Sequence, residues 1–140
     1  MSSAAAARPM PRSLAEKARL ALEIVRTCVV VRRRLRSDGL PPTLEWLRLP
    51  LAAGTRPADP ASLELGRAVR RTLAPLPADT RCLTQSLVLL GLLARRGIPA
   101  TLVLGVESTG ARFGAHAWVE HDRRPLLPPG TDPERRLAEL

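Results

Sequence analysis

Two side chains in this sequence are suited to covalent acyl chemistry. Cys82 offers a thiol, and His116, 34 residues later, offers an imidazole that can take up and return its proton. A cysteine at a helix start with a histidine on a following strand is the frame of a thiol-nucleophile site. Asp79 and Thr80 are both suited to cap a helix, which places Cys82 in its first turn. There the orphan N–H groups and the positive helix end favour negative charge at the sulfur, and the backbone N–H of Cys82 could receive an oxyanion. Arg81 adds a neighbouring positive charge. Each residue also has a plainer reading. Free cysteine is often a small core residue, and a single histidine is often structural.

The elements around the pair are strongly patterned. From Leu83 the chain runs through Leu87, Leu90 and Leu93, with Val88, Leu89 and Leu92 filling the other faces, so this is a core helix. Gly97, Ile98 and Pro99 end it, and Arg95 and Arg96 suit its negative end. Residues 100–107 read as a buried strand, and Gly110 lies in the turn after it. Residues 113–120 form the next strand. Alternation there places Gly114, His116, Trp118 and Glu120 on one face, with Ala115, Ala117 and Val119 on the other. Asp122 and Arg123 then make a two-residue hairpin turn, and residues 124–127 return as a third strand. By the same alternation His121 falls on the face opposite His116 and is expected to be exposed.

The rest of the chain is helical. Residues 1–11, rich in Ala, Ser and Pro, are expected to be disordered. Ser13 caps a helix to about Arg36, with Leu14, Ala18, Leu22, Val25 and Val29 at helical spacing and Cys28 as a buried, inert thiol. A short helical turn over residues 43–49 follows Pro41 and Pro42, and residues 50–60 form a loop. Asp59 and Pro60 open a helix to about Ala74, with Leu65, Val69 and Leu73 inward and Arg67, Arg70 and Arg71 outward. Residues 134–140 read as a last helical turn. Helices segregated before a small antiparallel sheet define an α+β fold. The predicted organisation is one domain over residues 12–140, with a helical part (12–77) and a cysteine helix plus sheet (78–140).

Composition narrows the class. The 140 residues suit a single core, and with aromatics at 2% that core must be built from Leu, Val and Ala. The net charge of +9 suits an acidic partner or simply an Arg-rich solvated surface. Zinc-finger spacing, P-loop and aromatic-basic interleaving are all missing, which argues against a nucleic-acid partner. Cys28, Cys82, His116 and His121 lack any usual zinc-ligand spacing, so neither metal nor cofactor is expected. With no apolar signal region, no span long enough for a bilayer and two free thiols, the expected setting is cytoplasmic.

Residues 81–127 also resemble a known family. The pattern CL-x-x-SL…LL-x-RRGIPA-x-L-x-LGV…HAWVE-x-D-x-RPL looks like the B2 proteins of lasso peptide biosynthesis. These are leader peptidases of the transglutaminase-like, papain-like cysteine protease superfamily. The resemblance implies that Cys82 is the nucleophile and His116 the general base. It implies a ribosomally made precursor peptide as substrate, a separate B1 protein that recognises the leader, and a lasso cyclase acting on the released core. The family carries an orienting Asp about a dozen residues after the histidine, where this chain has Pro128. Asp132, Asp122 and Glu120 are the alternatives. The loss motivates a rival reading, a catalytically impaired scaffold that binds the B1–leader complex. A thiol amidase or acyltransferase acting on another substrate is the third.

Overall fold

The computed structural model describes residues 12–109, 112–127 and 136–140. The chain folds as expected into helices followed by an antiparallel sheet. Residues 1–11, read above as disordered, lie outside the described residues.

Helix α1 (Leu14–Asp38) opens with a capping box, in which Ser13 Oγ accepts the Glu16 N–H at 3.2 Å and the Glu16 carboxylate accepts the Ser13 N–H at 3.0 Å. Its buried face is Ile24, Thr27, Cys28 and Val31, not the stripe chosen from spacing. Leu14 is 84% exposed, and Leu22, Val25 and Val29 are exposed as well. The helix carries two apolar stripes. At about 100° per residue they lie on opposite sides, so periodicity identifies both without choosing between them. The choice is tertiary. The Ile24, Cys28 and Val31 face is the one that joins the core against α4, and Glu23 beside it pairs at the rim with Arg95 at 3.6 Å and Arg96 at 3.2 Å.

Helix α2 (Leu40–Arg48) starts earlier than read, because Pro41 and Pro42 sit within its first turn, where no helical N–H donor is needed. A 3-10 turn (Leu49–Ala53) and an extended stretch lead to α3 (Pro60–Thr72). Asp59 caps α3 by accepting the Ser62 N–H at 3.1 Å, while the Asp59 N–H donates to Ser62 Oγ at 3.3 Å. Leu65, Val69 and Leu73 face inward, as their spacing predicts.

Helix α4 (Ala78–Arg95) is the centre of the molecule. Every residue from Thr84 to Ala94 is buried, with α1, α2, α3 and the sheet packed around it. It ends as the sequence predicts. The Gly97 N–H donates to the Ala94 carbonyl and the Ile98 N–H to the Leu93 carbonyl, both at 2.9 Å, with Gly97 at φ 75°. This is a Schellman stop, and its left-handed residue is the one glycine tolerates without strain.

The four strands are β1 (Thr101–Thr109), β2 (Arg112–His121), β3 (Arg124–Pro125) and β4 (Arg136–Glu139), in the order β3-β2-β1-β4 with every pairing antiparallel. In the β1–β2 register Gly105 stands opposite His116 and Val103 opposite Trp118. Asp122 (φ 48°) and Arg123 (φ 64°) make the predicted two-residue turn, with both residues at the positive φ of a type I′ hairpin. Strand β3 is shorter than read. The Leu126 N–H still donates to the Val119 carbonyl at 2.8 Å, but the chain bends at Leu126 and Leu127.

The C-terminus overturns a prediction. Residues 136–139 are a strand rather than a helical turn, and Leu140 exchanges two 2.7 Å hydrogen bonds with Leu102. Local propensity in RRLAEL favours a helix, but the open edge of β1 offers paired backbone partners, and that long-range gain wins.

Candidate active site

Cys82 and His116 line one cavity of about 430 Å³, formed where the start of α4 meets β2. Arg70 and Ala74, at the end of α3, border one side, and Leu127 borders another. Cys82 is half-buried, whereas Cys28 is only 6% exposed and packed in the core. Burial pushes the Cys28 thiol up from its ordinary value, against a smaller opposing pull from the charge on Arg32. Of the two thiols, Cys82 alone borders this cavity.

The elements explain the placement. Pro77 caps α4 without a side-chain hydrogen bond, and the helix begins at Ala78, earlier than Asp79 or Thr80 would have set it. Proline has its φ fixed near the value needed at a helix entry, and its missing N–H costs nothing there. Cys82 is therefore the fifth helical residue and not part of the first turn. In a regular ladder the N–H of the fifth residue is committed to the carbonyl of the first. An oxyanion at the Cys82 N–H, as the sequence led us to expect, would compete there with that helical carbonyl. Two further bonds hold this part of the helix. Arg81 Nη1 donates to the Ala74 carbonyl at 2.8 Å, tying the start of α4 to the end of α3, and Ser86 Oγ donates to the Cys82 carbonyl at 2.7 Å.

Gln85 is a site residue that the sequence analysis missed. It lies three positions after Cys82, so the two share a helix face. It borders the same cavity and is 9% exposed. Its side-chain amide makes no hydrogen bond among the described residues. A nearly buried amide needs a partner, and here the cavity is what it can face. Helical side chains tilt toward the N-terminus, which leans Gln85 toward the turn carrying Cys82. The spacing Cys-x-x-Gln was the signal available in the sequence.

His116 is oriented by packing. Its ring stacks on Trp118 with centroids 5.8 Å apart and planes at 25°. The Arg136 guanidinium lies over the Trp118 ring, 5.9 Å from its centroid, so β4 helps fix the tryptophan that flanks the histidine.

The candidates for an orienting carboxylate fare differently. Glu120 is buried and accepts two hydrogen bonds of 2.8 Å from Arg136, which also bonds Glu139 at 2.9 Å. The Arg136 guanidinium is held above its ordinary value, chiefly by its hydrogen bonds to Glu120. Asp122 sits in the hairpin turn, largely exposed, 3.2 Å from His121 and not in the cavity. Asp132 and Pro128 lie outside the described residues. His121 is not exposed as expected, since its side chain keeps only 14% of its surface. Its Nδ1 lies 2.6 Å from the Pro99 carbonyl, and its Nε2 accepts the Ala58 N–H at 3.3 Å. It braces the hairpin against two loops and takes no part in the cavity.

Among the described residues no group of three or more His, Cys, Asp or Glu is placed to hold a metal ion, and no helix is long and apolar enough to cross a membrane. No curated protein and no solved structure matches the chain. One family model does match, over residues 25–140, from within α1 through α2, α3, α4 and the sheet. With a cysteine helix packed on a histidine-bearing antiparallel sheet, and with that match over most of its length, the chain belongs to the transglutaminase-like superfamily.

Proposed function

We propose that this protein is a cysteine peptidase that removes the leader from a lasso-peptide precursor, working with a separate B1 leader-recognition protein. The observation that carries the reading is the convergence of Cys82 and His116 on one cavity although 34 residues separate them in sequence. The CL-x-x-SL and HAWVE motifs around those residues support the choice of substrate. His116 takes the thiol proton as sulfur attacks the scissile carbonyl. The side-chain amide of Gln85 donates to the oxyanion of the tetrahedral intermediate, beside the Cys82 N–H. The intermediate collapses, and His116 protonates the departing amine. Water then attacks the thioester, giving a proton to His116, and the thiol is restored with release of the leader's carboxylate. Glu120 is engaged with Arg136 and Asp122 lies exposed in the hairpin turn outside the cavity, so Asp132 is the remaining sequence candidate to orient His116.

The test is cleavage of a candidate precursor by the purified chain with B1 present. Cleavage at one leader–core junction that is lost in Cys82→Ala supports the reading. Pro128, in the position of the family's Asp, favours a second reading as a scaffold of the same fold. Tight binding of the B1–leader complex by the wild-type chain without cleavage would decide for the scaffold.

A further inference from the structure

A second and larger cleft lies between α1 and α3, about 850 Å³ in volume, away from the sulfur but leading toward it. Among the described residues five basic side chains line it, Arg12, Lys17, Arg67, Arg70 and Arg71, against one acid, Glu64. Its floor is apolar, with Leu20, Ile24 and Ala68. Arg70 and Ala74 border this cleft and also the Cys82 cavity, so the two spaces adjoin along the end of α3. A basic rim over an apolar floor selects an extended or helical peptide carrying acidic and aliphatic side chains together. A neutral or basic peptide would leave the five cations unpaired. In sequence, residues 1–11 of the chain contain Arg8 and no acid, so they lack the charge this rim selects.

We propose that the α1–α3 cleft binds an acidic, aliphatic segment of the substrate peptide and hands the adjoining peptide bond past Arg70 to Cys82. This deepens the peptidase reading and rests on it for the second half of the claim. The charge supplies long-range attraction and the apolar floor supplies register, so binding must weaken with salt without vanishing.

The experiment separates the cleft from the chemistry by using full-length Cys82→Ala protein, which cannot cleave. The probe is a fluorescein-labelled peptide with Glu and Leu at helical spacing, read by anisotropy, beside the same peptide with Lys in place of Glu. The expected result is saturable binding of the Glu peptide, no binding of the Lys peptide, and a loss of affinity of about tenfold or more in Arg67→Glu/Arg71→Glu. Both arginines are exposed, so the variant should keep its fold, which circular dichroism checks. Equal affinity for both peptides, or unchanged affinity after charge reversal, overturns the proposal. In the protein with Cys82 intact, the bound Glu peptide should slow alkylation of that thiol by iodoacetamide. Binding without such protection would overturn the link between cleft and cavity. Binding with protection but no precursor cleavage would instead refute the peptidase reading and leave the cleft standing.

Discussion

Replacing Gly66 by alanine should destabilise the protein, although the same change in an ordinary helix stabilises it. Gly66 is buried in α3, and a methyl group there would run into the backbone carbonyl of Leu126, nearer than any real contact allows. Helix propensity alone gives Ala an advantage of about 1 kcal/mol over Gly. Overpacking a close backbone contact costs about 1–3 kcal/mol, and a carbonyl cannot rotate away as a side-chain end can. The net loss is then up to about 2 kcal/mol. An unfolding entropy of about 2.1 cal/mol/K per residue, taken over 140 residues, makes each kcal/mol worth about 3 °C. The melting temperature of Gly66→Ala should therefore fall by up to about 6 °C, followed by circular dichroism. Gly91→Ala is the matched control. Its new methyl meets Leu47 Cδ2 at 2.6 Å, the mobile end of a side chain, so it should lose less than Gly66→Ala. A Gly66→Ala protein that melts at or above the wild type, or below Gly91→Ala by nothing measurable, would refute the reasoning. Because Leu127 borders the Cys82 cavity, Gly66→Ala should also slow labelling of Cys82.

Arg123→Gly should raise stability by about 1 kcal/mol in a denaturant titration, since it relieves a non-glycine residue at φ 64° in the hairpin turn. Asp59→Ala should cost about 1 kcal/mol through the lost cap of α3. Burial pushes the Asp59 carboxyl up, but hydrogen bonds from Arg56 and Ser62 outweigh it and hold the group below its ordinary 3.8. A carboxylate depressed in the native state stabilises above that ordinary value, and the benefit is lost as pH falls through the native one. The gap between wild type and Asp59→Ala should accordingly narrow in titrations carried below about pH 4. Gln85→Ala should slow acylation of Cys82 by 4-nitrophenyl acetate by about 10²-fold or more while leaving iodoacetamide alkylation unchanged, because only acylation passes through an oxyanion. Equal loss in both reactions would make Gln85 a structural residue.

The parts of this molecule that were legible in the sequence are those fixed by neighbours in the chain. Helix α4 announces itself through its unbroken apolar run and its Gly97 stop, and the Asp122–Arg123 turn follows from the strands on either side. That Cys82 lies on a helix and His116 on a later strand was also visible, since both elements are strongly patterned. What was not legible depends on distant partners. The inward face of α1 is set by apolar packing on α4, with Glu23 pairing to Arg95 and Arg96 at its rim, and the C-terminal strand by the free edge of β1. The start of α4 was missed by a few residues because Pro77 can open a helix without a capping side chain. The earlier start places Cys82 one turn into the helix, on the same face as Gln85. The burial of His121 has a related cause, because Pro99 and Ala58 come from loops distant in sequence that close over its side chain.

The central claim is that Cys82 and His116 act as a pair. The most direct measurement is the rate of iodoacetamide alkylation at each cysteine at one neutral pH, resolved by peptide mass spectrometry, in wild type and His116→Ala. The account predicts that Cys82 is labelled in the folded wild type, that Cys28 is not labelled until the protein is unfolded, and that His116→Ala slows Cys82 by about tenfold or more. Equal Cys82 rates in the two proteins, with the fold intact by circular dichroism, would contradict it.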